Sequence, residues 1–140
     1  MISIQQYFGT RIDNPEVTEE KLENARILLE RVNALLDEAF GVAGILVLND
    51  PDTGTQISGS KGGEGGGGFR LSNATTGKPA SAHKLAMAVD VFDPENKLDD
   101  WITREILIKH GLYREARQWT LGWCHLQTRP PRSLMRSFNP

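Results

Sequence analysis

The sequence predicts an α+β domain, and three observations carry that prediction. A long stretch with helical apolar spacing fills the first third of the chain, short β-type runs follow at separated places, and a second helical stretch lies among them. Helices that bracket a few scattered strands do not make the alternating repeat of a parallel wound sheet. At 140 residues the chain has the length of one domain, 1–140, and buries a core without covalent staples.

Residues 1–13 carry no periodic pattern and read as an irregular lead-in. Asn14-Pro15 reads as a helix start, with Asn as the N-cap and Pro where its missing N–H costs nothing. Leu22, Ala25, Leu28, Leu29, Val32, Leu35, Leu36, Ala39 and Phe40 then recur at helical spacing, and Gly41 supplies a stop. The apolar run 43–48, bounded by Gly41 and the turn-forming 49–54, reads as a buried strand. Residues 59–68 are the one low-complexity segment. They lack both the Gly-x-x-x-x-Gly-Lys-Ser/Thr pattern and the following helix of a phosphate-binding loop and read as a flexible glycine-rich loop. A second loop is expected over 75–79. Small and β-branched residues over 86–92 predict a strand, and 93–96 a turn. Asp99 or Asp100 caps a predicted helix over 101–110 that ends at Gly111. Residues 119–126 read as a final strand, followed by a basic, proline-containing tail.

The net charge of −2 gives no global basic field, so no nucleic-acid partner is expected. Charge is nevertheless uneven: residues 1–40 hold four basic and eight acidic side chains, whereas 111–140 hold five arginines against Glu115 alone. A solvated rim accounts for the basic end. Cys124 is the single cysteine, which excludes an intrachain disulfide and a cysteine-rich metal cluster. No signal peptide is visible at the N-terminus, and no run approaches the ~18 apolar residues of a spanning helix. Cytoplasmic synthesis without membrane insertion is the expectation.

Candidate chemistry centres on His83 and Asp90, together with the late His125 in Trp123-Cys124-His125-Leu126-Gln127. With one cysteine, imidazole and carboxylate are the ligands left for a borderline-soft metal such as zinc. If His83 sits at a turn and Asp90 on the next strand, six intervening residues let both face one point, and His125 arrives on a neighbouring strand. Three protein ligands leave one tetrahedral position open, as catalytic zinc sites do. Alternation puts Trp123, His125 and Gln127 on one strand face and aims Cys124 away. The spacing alone also fits ordinary core or surface histidines in an α+β domain without metal. His110, in the last turn of a helix, compensates the helix dipole and stays outside the set.

Taken together, Arg70 in Gly-Phe-Arg-x-x-Asn, Ser81-x-His83, Ala88-x-Asp90 and Trp123-x-His125-Leu126 resemble, in order and spacing, the zinc D-alanyl-D-alanine carboxypeptidase family. That family includes D,D-dipeptidases, phage L-alanyl-D-glutamate endolysins and the Hedgehog signalling domain, and the likeness is greatest to its small phage-encoded members. It covers roughly 43–128. The resemblance implies a small antiparallel sheet with flanking helices, and zinc held by His83, Asp90 and His125. It further implies that Arg70 holds the substrate or its developing oxyanion, and that the partner is a peptidoglycan peptide, met at the cell wall after release or as part of a virion. Two positions depart from the family pattern. Ala86 replaces the usual glycine three residues after the first histidine, which an ordinary backbone angle would tolerate. The acidic base usual three or six residues before the last histidine is replaced by Gly122 or Trp119. Glu115 is the nearest upstream acid, and a bulging loop over 117–121 would bring it to the site. Without it, the resemblance implies a zinc-binding but catalytically silent wall-binding or phage structural protein.

Overall fold

The computed structural model describes residues 1–59, 66–74 and 81–140. Among these residues, four helices and four short strands make an α+β fold: α1 (Ile4–Phe8), α2 (Glu19–Ala43), β1 (Ala88–Phe92), α3 (Lys97–Trp101), α4 (Arg104–His110), β2 (Tyr113–Glu115), β3 (Trp123–Gln127) and β4 (Ser137–Phe138). The sheet order is β1-β3-β2-β4. β3 is antiparallel to both neighbours, but β4 runs parallel to β2, so the sheet is mixed where an antiparallel one was expected. Among the described residues no helix is long and apolar enough to cross a membrane.

Helix α2 is the main lid of the core. Ala25, Leu28, Leu29, Val32, Leu35, Leu36 and Ala39 are buried along one stripe and meet the sheet's inner face, Val89, Val91, Cys124 and Leu126. The helix begins later than Asn14-Pro15 predicts. Asn14 instead closes a turn by accepting the Glu16 amide on its Oδ1, and Thr18 is the cap, its hydroxyl accepting the Lys21 N–H. It also runs through Gly41 to Ala43, where Gly44 adopts the left-handed cap. Phe40, placed in the stripe by spacing, is exposed. The lead-in is not irregular: Ser3 and Gln6 form a reciprocal capping box on α1, and 3-10 turns follow over Gly9–Asp13.

Two further expectations change. The run 43–48 forms no strand; Leu46 and Leu48 are 64% and 60% exposed. Its candidate partner, the outer edge of β1, is already taken: Phe92 donates to the Gln56 carbonyl, Ser58 to that of Asp90, and Asp90 to that of Gly67. The predicted helix over 101–110 is two helices. Asp93 binds the Leu98 and Asp99 amides at the start of α3, both at 3.0 Å, so neither Asp99 nor Asp100 is its cap. Ile102 then turns into the core in extended conformation, and Thr103 caps α4. The final strand is shorter than predicted, because Arg117–Trp119 is a 3-10 turn and Gly122 has φ +97°.

The glycine-rich segment divides. Residues 60–65, and the loop expected over 75–79, lie outside the described residues. Gly66, Gly67 and Gly68, expected to belong to a flexible loop, are buried and hydrogen-bonded against the site.

Candidate metal centre

The site is built where β1, β3 and β2 lie side by side. Asp90 and His125 are register partners across β1 and β3. Both backbone groups of Asp90 are spent on the other side, with Gly67 and Ser58. Asp90 and His125 therefore form a non-hydrogen-bonded pair, the kind whose side chains approach most closely. His125 Nδ1 lies 2.8 Å from Asp90 Oδ1.

His83 reaches the same oxygen from a 3-10 turn, Ala82–Leu85, that precedes β1. The Ser81 hydroxyl caps this turn by accepting the His83 amide, and Ala86 ends it with φ +58°. That left-handed angle is not the ordinary one expected of a tolerated alanine. His83 Nε2 is 3.4 Å from Asp90 Oδ1, while its Nδ1 donates to the Gly68 carbonyl at 2.9 Å. His83, Asp90 and His125 are all buried, and one ligand atom from each lies within 4.8 Å of the others. They form a group able to hold a metal ion.

Arg70 also joins the site. Its Nε donates to the Gly66 carbonyl at 2.9 Å, and its guanidinium stands 3.6 Å from Asp90 Oδ2. Glu115 arrives through strand pairing, and 117–121 is the expected loop: a 3-10 turn over Arg117–Trp119 and the turn after it lead from β2 back to β3. Tyr113 and Arg114 on β2 face Gln127 and Leu126 on β3, which sets Glu115 beside His125, its Oε2 3.4 Å from Nδ1. Phe138, beside Glu115 on β4, turns its ring edge-on to His125 at 6.1 Å. Asp90, His125, Glu115 and Phe138 thus form one row across all four strands.

Electrostatics separates the two imidazoles. Burial pushes the His83 pKa down, and Asp90 does not offset it. Burial also opposes charge on His125, but the Asp90 carboxylate, Glu115 and Gln127 outweigh it and raise its pKa. Asp90 would be raised by burial, yet the facing imidazoles hold it well below the usual carboxylate range.

Other candidates fall elsewhere. Cys124 lies on the opposite face, its thiol pushed up by burial and by Asp99 and Asp93. His110 faces Glu38. At the two positions where the family pattern places an acid, Gly122 gives its carbonyl to the Asp93 amide and Trp119 donates its indole N–H to Asn139. Sequence reasoning passed over Gly67 and Gln127 as site residues. Gly67 was hidden inside a low-complexity run, whereas Gln127 was signalled by sharing a strand face with His125. No family model matches the chain, and no curated protein or solved structure matches it either.

Proposed function

We propose that the chain is a zinc-dependent peptidase acting on peptidoglycan stem peptides, as a D,D-carboxypeptidase or endopeptidase of the phage-associated kind that its motifs resemble. The observation that carries this reading is Glu115, a carboxylate 3.4 Å from His125 Nδ1 in a site with three converging donor atoms. Two imidazoles and one carboxylate suit zinc, and their spread fits a single ion. Zinc bound there supplies a Lewis acid that polarises a peptide carbonyl and acidifies water. Glu115, 19% exposed at its side chain, takes the proton of the attacking water and returns it to the leaving amine. Arg70, a fixed cation behind Asp90, stabilises the negative charge that develops on the carbonyl oxygen. The catalytically silent alternative rested on a missing acid, and the position of Glu115 favours the enzyme.

Metal analysis and peptidoglycan digestion test this reading. The purified protein is expected to carry one zinc, lost in His83→Ala. Wild type is expected to release stem-peptide fragments, and Glu115→Gln to keep zinc while losing about 10²- to 10⁴-fold in rate. Absence of zinc would remove the metal reading. Zinc without fragment release would leave the silent one, and a fully active Glu115→Gln would remove Glu115 as the base.

A further inference from the structure

Each ring nitrogen of His125 has a polar neighbour. Nδ1 looks toward Asp90 and Glu115, while Nε2 meets Gln127 Oε1 at 2.7 Å. Which atom of the Gln127 amide faces the ring is fixed by the other end of that amide. Its NH2 lies 2.6 Å from the Arg129 carbonyl, a contact that only a donor can make. A flipped amide would set two acceptor oxygens against each other at that distance. The oxygen therefore faces His125, and the ring atom opposite it must donate. Gln127 is 6% exposed, and its backbone is pinned in the central strand between Ala88 and Tyr113, so the amide has little freedom to turn.

We propose that Gln127 is a positioning residue for the metal centre: its amide, oriented by the Arg129 carbonyl, keeps a proton on His125 Nε2 and so reserves Nδ1 for the cation. The Gly68 carbonyl has the matching role at His83, where it takes Nδ1–H and leaves Nε2 toward Asp90. The two imidazoles thus present different nitrogens to one carboxylate oxygen, each held by a carbonyl group behind it. This inference rests on the metal-site reading and asks a separate question of the ring.

The test uses the full chain labelled with 15N-histidine, as wild type, Gln127→Met and Gln127→Glu. Methionine keeps the side-chain length without an acceptor; glutamate restores one. Long-range 1H–15N spectra are expected to show a proton on His125 Nε2 in wild type and Gln127→Glu, both metal-free and with zinc. In Gln127→Met that proton is expected to exchange rapidly, and zinc affinity by chelator competition to fall about tenfold to hundredfold, with glutamate restoring it. A bare Nε2 in wild type overturns the proposal, as does Gln127→Met with an unchanged Nε2–H signal and unchanged zinc affinity. If wild type takes up no zinc, the metal reading fails, but the metal-free spectrum still decides the role of Gln127. Should Gln127→Met fail to fold, the wild-type and Gln127→Glu spectra decide it alone.

Discussion

Asp90 divides its carboxylate between two environments: Oδ2 faces Arg70, and Oδ1 faces both imidazoles. The pH dependence of metal binding follows from that geometry. Protons and a cation compete for His125 Nδ1, and the pKa of His125 is raised. Affinity is therefore expected to fall about tenfold per pH unit once pH drops below that raised value. His83, shifted down by burial, adds no slope over the same range. Chelator-competition titrations across pH check this; a break at or below the ordinary histidine value would contradict it. The sign for the metal-free fold is opposite. The raised His125 pKa contributes stability that is fully present below its unfolded-state value and lost as pH rises through the folded one. Ala86 is the strained residue of the site, left-handed and fully buried. Alanine endures that angle, but a β-branched chain does not. Ala86→Val is expected to cost about 2–3 kcal/mol, read as a lower urea midpoint.

At the scale of elements, β1 is held in place by the end of the glycine run. A Cβ on Gly67 would stand 2.6 Å from the Ser58 carbonyl oxygen, 2.7 Å from Asp90 Cβ and 2.8 Å from the Asp90 carbonyl oxygen. Two of these atoms are backbone, so the strand must move, and it moves the ligand with it. Gly67→Ala is expected to destabilise by about 1–3 kcal/mol and to weaken any metal binding by the His83, Asp90 and His125 group, measured by thermal melting and chelator competition. Gly41 is the contrasting case. It sits inside α2, and a Cβ there meets nothing within 4 Å. Gly41→Ala is expected to stabilise by about 0.5–1 kcal/mol, with metal affinity unchanged.

Across the whole molecule, what was legible in the sequence is what local pattern encodes. The α2 stripe follows from 3.6-residue spacing, and β1 from its β-branched core. The His83, Asp90 and His125 set was legible from order and spacing. Glu115 was named but not located, because its place depends on the β2–β3 register, which no nearby residue announces. The 43–48 run looked like a strand because it is apolar. A strand also needs an edge to pair with, and the sheet had already given that edge to residues 56–58 and 67. β4 is two residues long and leaves no readable period. The covering of β1 has a further consequence. Open strand edges template pairing between chains, the first step of aggregation. This sheet offers little such template: Gln56–Ser58 and Gly67 occupy one side, and β4 closes the other with two residues and a proline, which has no N–H to donate, shortly after. Among the described residues the exposed leucines at 46 and 48 therefore lie outside any long unpaired strand, and self-association through backbone ladders is disfavoured with or without a metal ion.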